Sequence, residues 1–134
     1  MRKFLVLAVA VLATASCNQG FSGIATGGLF VVAVGNEQFR VRIDNTFLAT
    51  QARRIAGGIE GQKIVNGELQ RGNGGFNTGY NWSIKPTTVQ FSDVAITGCD
   101  AKPSDVEKDI AHWVDEVKRY CPTAGRIIRE EANF

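Results

Sequence analysis

Residues 76–100 read FNTGYNWSIKPTTVQFSDVAITGCD, the one stretch where turn residues, aromatics and an apolar alternation meet a cysteine. Trp82 and Ile84, then Val89, Phe91, Val94 and Ile96, place apolar side chains at about two-residue spacing, as strands with one buried face require. The stretch predicts two strands broken at Lys85-Pro86.

Toward the N-terminus, Leu29 to Val34 and Gln38 to Ile43 are apolar-rich runs flanking Gly35-Asn36, a pair suited to the positive φ of a tight hairpin. Phe39, Val41 and Ile43 alternate with Arg40 and Arg42, so one face is buried and the arginines read as the solvated face, with an anion site as the sharper alternative. Asp44 or Asn45 can cap a short helix whose Leu48, Ala52 and Ile55 recur at helical spacing and which Gly57-Gly58 ends; it should lie across the sheet. Gln62 to Leu69 predicts a third strand, with a bulge or turn at Asn66-Gly67.

Residues 72–80, GNGGFNTGY, carry four glycines and two asparagines around two aromatics, a composition that resists regular structure. This is the candidate recognition loop, with Phe76, Tyr80 and the adjoining Trp82 as candidate ligand contacts. The competing reading is a long hairpin connection whose aromatics fold back on the core. Asn81-Trp82-Ser83 is a glycosylation sequon, relevant only in a eukaryotic secretory pathway, and Trp82 is expected to point inward.

Toward the C-terminus, Ser104 and Glu107 stand in capping-box spacing ahead of Val106, Ile110, Trp113, Val114 and Val117 at helical spacing. They predict an amphipathic helix from Ser104 to Tyr120, stopped by Cys121-Pro122. Gly125 to Glu130 reads as a last strand. Cys99 follows a strand and Cys121 follows that helix, so a Cys99–Cys121 bridge would close a loop of about 20 residues and stabilise the fold by roughly 3 kcal/mol.

The first 16 residues have the form of a secretory signal peptide: Arg2 and Lys3, an apolar run from Phe4 to Ala13, then small residues. The apolar run falls short of the roughly 20 residues that cross a bilayer. Ala13-Thr14-Ala15 fits ordinary signal peptidase, while Thr14-Ala15-Ser16-Cys17 resembles a loose bacterial lipobox that would acylate Cys17. The chain has 3 Cys, so lipidating Cys17 would leave Cys99 and Cys121 as a pair. The expected organisation is a signal peptide (1–16), a flexible tether (17–28) and one globular domain (29–134), secreted or held in the cell envelope.

The chain carries 15 Lys+Arg against 13 Asp+Glu, and losing Arg2 and Lys3 with the signal leaves 13 against 13. A neutral module has no electrostatic footprint for nucleic acid. A catalytic cysteine needs a base beside it, and the single histidine, His112, falls on the predicted helix next to Trp113. One His and two bridged Cys cannot supply a zinc site; Asp93, Asp100 and Asp105 cluster loosely in sequence, with a capping or turn role for Asp100 and Asp105 and calcium binding as the lesser alternative. No Walker loop, dinucleotide fingerprint or nucleophile elbow is present.

The F-x-V-x-I strand at Phe39 to Ile43, the short helix with Ala52-Arg53, IVNGELQRG from Ile64, N-W-S-I-K-P, and V-x-F-S-D-V-A-I-T-G-C-D from Val89 to Asp100 together resemble a family of small secreted domains. That family is named after the N-terminal domain of a calmodulin-binding protein, and its members share the V-E and later C-P motifs seen here at Val106-Glu107 and Cys121-Pro122. The resemblance spans Phe30 to Ile128 and departs at Thr123, where members often carry tryptophan. It implies a domain boundary and no catalytic residue. Calmodulin targets are basic amphipathic helices, whereas residues 104–120 hold more acids than bases.

The expected fold is α+β: an antiparallel sheet of about five strands with two helices on one face and one disulfide. The expected function is a non-catalytic binding or interaction module, without cofactor or metal, for a protein or glycan; membrane contact would come only through a lipid on Cys17. A structural envelope or matrix component is the alternative, and a small enzyme the third.

Overall fold

Alternation in residues 28–43 builds the first hairpin of the computed structural model, which describes residues 27–132. The expected signal peptide (1–16), Cys17 and the tether up to residue 26 lie outside the described residues. β1 (Gly28–Val34) and β2 (Glu37–Ile43) pair antiparallel, with Gly28 opposite Ile43 and Val34 opposite Glu37. In their two-residue turn Gly35 takes φ 62° and Asn36 does not, the pattern of a hairpin loop with glycine first.

Asn45 caps α1 (Thr46–Ala56) by accepting the Leu48 amide at 3.0 Å, which satisfies one orphan donor of the first turn. The helix buries Ala49, Ala52 and Ile55 and ends at Gly57. β3 (Ile64–Arg71) then runs unbroken through Asn66-Gly67. The expected interruption falls in its partner instead: β4 (Trp82–Ile84) pairs with Leu69 to Arg71, β5 (Gln90–Ser92) pairs with Ile64 to Asn66, and a 3₁₀ turn at Pro86–Thr88 separates them. Asn66 is buried and its amide donates to the carbonyls of Ile64 and Gln90 at 3.2 Å, so its polarity is absorbed inside the sheet.

The break at Lys85-Pro86 is therefore where the sequence places it, but the second strand is shorter than the apolar spacing suggests. Ser92 bonds both the carbonyl and the amide of Val94 through its hydroxyl, turning the chain out of the sheet and leaving Val94 71% exposed. Such local side-chain bonding competes directly with strand pairing.

The long helix expected over Ser104 to Tyr120 is three pieces. α2 (Pro103–Lys108) starts on proline, with the Asp105 carboxylate accepting the Lys102 amide at 3.1 Å. Asp109 leaves helical dihedrals (φ −146°, ψ 66°) and caps α3 (Ile110–His112), which passes into a π-helical turn at Trp113–Val117. The expected capping pair works elsewhere. Ser104 donates its amide and hydroxyl to the Glu37 carboxylate at 2.9 and 3.0 Å, and Glu107 accepts the amide and side-chain nitrogen of Asn81 at 2.9 and 2.7 Å. Val106 is buried, while Ile110, Trp113 and Val117 are half-buried.

β6 (Arg119–Tyr120) pairs with Gly67 and Glu68 of β3, and β7 (Gly125–Glu131) pairs with β1 with a register shift between Val31 and Val32. The class is α+β as expected, mostly β, but the strands divide into a three-stranded sheet β2-β1-β7 and a four-stranded one of β3 with β4, β5 and β6. The helices divide as well: α1 packs against β7 and β2, and the π turn against β3 and β6.

Between these layers lies one core, in which Phe30, Val32, Phe39, Val41 and Ile43 meet Val65, Trp82, Ile84, Tyr120 and Ile127. Trp82 stands 5.6 Å from Phe39 and 5.3 Å from Tyr120 between ring centroids, in tilted and edge-on geometries that aromatic quadrupoles favour. The Cys99–Cys121 disulfide joins the end of the 76–100 stretch to the end of β6, with the Cys121 amide donating to the Cys99 carbonyl at 2.9 Å.

Candidate functional site

Alternation along β2 sends Phe39, Val41 and Ile43 into the core and Arg40 and Arg42 to the outer face of the three-stranded sheet. That face is only partly solvated, because loop 72–80 folds across it. All four of the loop's glycines take positive φ, from 64° at Gly74 to 94° at Gly79, which lets it reverse direction within a few residues. Asn73 holds the reversal: its carbonyl accepts the amides of Phe76 and Asn77, and its side chain accepts the Gly75 amide at 2.8 Å.

Asn77 fastens the loop to the sheet. It is fully buried, donates to the Trp82 carbonyl at 2.8 Å and accepts the Arg40 amide at 2.9 Å. Sequence reasoning missed it, since an asparagine in a glycine-rich loop reads as a turn former; burial alone marks it as a tie.

The result is a cleft of about 440 Å³ lined chiefly by Leu29, Arg40, Arg42, Phe76, Thr78 and Glu131. Arg40 grips the Glu131 carboxylate with Nε and Nη2 at 2.7 and 3.0 Å, and its Nη1 donates to Thr78 Oγ1 at 3.4 Å. Arg129 adds a third donor to Glu131 at 3.3 Å. These bonds hold the Glu131 carboxyl below its usual range and raise the Arg40 guanidinium, in both cases first through the side-chain hydrogen bond between them. The Arg42 guanidinium lies 5.3 Å from the Phe76 ring centroid, within cation–π reach. Two guanidinium groups thus hold one carboxylate on a concave face that a third also lines.

The aromatic contacts expected from the sequence are not presented together. Phe76 and Trp82 are buried, and Tyr80 is half-buried with its ring 5.3 Å from that of Trp82. Burial, and then the charges of Glu37 and Glu107, raise the Tyr80 pKa. Only Phe76 of the three lines the cleft, so the loop meets the surface through Gly75, Phe76 and Thr78.

His112 is exposed and sits 2.6 Å from Glu116 across one helical turn, away from the cleft. The acids Asp93, Asp100 and Asp105 are engaged separately: Asp93 with Lys63, Asp100 with the Thr123 amide at 2.9 Å, and Asp105 at the start of α2. Among the described residues no group of three or more His, Cys, Asp or Glu could hold a metal ion, and no helix is long and apolar enough to cross a membrane.

Two small sheets, the Cys99–Cys121 disulfide and a loop tied over an arginine-bearing strand define a compact α+β domain with a surface cleft. The chain belongs to the BP-74 N-terminal domain family, whose model matches residues 28–134. No curated protein and no solved structure matches it.

Proposed function

We propose that the chain is an exported, non-catalytic binding module that engages a protein or glycan at the cleft over Arg40 and Arg42. The observation that supports this is the meeting of two features separate in sequence, the outward arginine pair of β2 and the glycine-rich loop, in one concave surface fixed by a buried asparagine. Fixing a loop before it meets a ligand lowers the ordering cost of binding. The export component rests on residues 1–16 and leaves open acylation at Cys17. No cofactor enters this reading. Calmodulin is not the partner proposed: residues 103–117 hold five acids and one lysine, and the helix there is broken at Asp109.

A structural role in the envelope or matrix is the second reading, favoured by the inward packing of Phe76 and Trp82. The two separate in one experiment. The purified protein and its Thr78→Trp variant, which fills the cleft from an exposed position, are immobilised and exposed to the producer's own secreted and envelope fractions. The binding reading expects a partner retained by the wild type and lost by the variant. Equal retention by both refutes the cleft, and concentration-dependent self-assembly without any retained partner supports the structural role.

A further inference from the structure

Eight described residues have positive φ, and seven of them are glycines: Gly35, Gly58, Gly72, Gly74, Gly75, Gly79 and Gly98. The exception is Lys118, at φ 68° and ψ −16°. Its backbone is fixed from both sides. The amide donates to the Trp113 carbonyl at 2.7 Å to close the π turn, and the carbonyl accepts the Leu69 amide at 2.8 Å as the chain enters β6. A left-handed residue is needed there, and glycine or asparagine would fill the position with less strain. Non-glycine strain of this kind persists where the side chain has a use, and single π turns recur at functional sites.

Lys118 lines a second groove, of about 550 Å³, between β3, Lys85 and the π turn. Two of the groove's cations are matched: Arg71 forks onto Asp115 with two bonds of 2.8 Å, and Lys85 binds Glu68 at 2.6 Å. The Lys118 ammonium has no hydrogen bond or ion pair among the described residues. Its charge nonetheless helps to hold two carboxyls that also line the groove below their usual range, Glu68 behind Lys85 and Arg119, and Asp115 behind Arg71. The neighbouring Arg119 guanidinium spends its Nη2 on the neutral side chains of Asn66 and Gln90 at 2.7 and 3.0 Å.

We propose that this groove is an oxyanion site for a phosphate or sulfate group, with Lys118 as the primary cation and Arg71 and Lys85 at its flanks. An ammonium is a compact point charge with three donors, which suits a tetrahedral oxyanion, whereas the planar fork of Arg71 is already matched to a carboxylate. The groove shares no residue with the cleft over Arg40, so the proposal stands independently of the function argued above.

Amide shifts of the purified protein are followed on adding inorganic phosphate or sulfate, with ionic strength held constant by chloride. Saturable shifts at residues 71, 85, 118 and 119 are expected, weakened about tenfold or more in Lys118→Gln. Lys118→Gly should lose the site in the same way yet raise Tm by about 4 °C, because glycine relieves the left-handed strain. A sulfated oligosaccharide binding about tenfold tighter than inorganic sulfate would place the group on a glycan, and equal affinity would make the free ion the ligand. Shifts reproduced by chloride alone, or affinity retained in Lys118→Gly, would overturn the proposal. So would a Lys118→Gly protein that melts below the wild type.

Discussion

Gly67→Ala tests how closely β4 and the turn after it pack on β3. A Cβ at Gly67 would stand 2.3 Å from Ile84 Cγ2 and 3.2 Å from Thr88 Oγ1, and Ile84 is fully buried, so its side chain cannot swing into solvent. Relieving the overlap means moving β3 and β4 apart or pushing Ile84 off its rotamer, which costs about 1–3 kcal/mol in a packed core. Alanine recovers about 0.5–1 kcal/mol of backbone entropy relative to glycine. The net expectation is a loss of about 1–2 kcal/mol, read as a lower urea midpoint at unchanged m-value. Ile84→Ala alone should cost about 2–5 kcal/mol. The double variant should be more stable than the sum of the two single losses by about 1 kcal/mol or more, because removing Cγ2 vacates the space the new methyl needs. A neutral Gly67→Ala, or strictly additive losses, would falsify the close approach as the reason for glycine here.

Three further outcomes follow from named contacts. Replacing both Cys99 and Cys121 by Ser opens a loop with a separation of 22 residues and should cost about 3 kcal/mol in reversible unfolding; an unchanged midpoint would contradict the staple. Asn77→Ala leaves the Arg40 amide and the Trp82 carbonyl without their partner and should cost about 2 kcal/mol or more, with faster hydrogen exchange confined to loop 72–80. Stability should fall at both extremes of pH. The carboxyls of Glu131, Glu68 and Asp115 are held low by Arg40, Lys85 and Arg71, so their contribution is present above the unfolded values near 4 and is lost as acid protonates the folded forms. Tyr120 is raised, by burial first and then by Asp100 and Glu37, with its hydroxyl donating to the Ala101 carbonyl; its contribution is present below about 10 and lost above it. Tyrosinate absorbance should then rise together with alkaline unfolding, and ionisation well before unfolding would refute the buried placement.

What could be read in the sequence is what local rules decide. The Gly35-Asn36 hairpin, the α1 cap at Asn45, the break at Lys85-Pro86 and the pairing of the two cysteines all depend on residues close in the chain or on few alternatives. The long helix expected from Ser104 is broken because its capping signature is genuine in spacing but employed over distance, Ser104 on Glu37 and Glu107 on Asn81, while Asp109 interrupts the ladder. Asn66-Gly67 signalled a bulge, yet the glycine serves the approach of Ile84, and the irregularity moved to the facing strand. The cleft was half visible. Arginine alternation and loop composition are legible in the chain, but that they adjoin depends on Asn77, whose two bonds span the turn and the sheet and leave no periodic trace.

Partner binding over Arg40 and Arg42 is tested most directly at Thr78. A photo-crosslinking benzophenone side chain placed at Thr78, an exposed position on the cleft, is compared with the same group at Thr50, an exposed position on α1. Both proteins are irradiated in the producer's secreted and envelope fractions. Binding at the cleft predicts a discrete adduct from position 78 alone, suppressed by excess unlabelled wild type and not by excess Thr78→Trp. Adducts of equal yield from both positions, or suppression by Thr78→Trp as effective as by wild type, would contradict it.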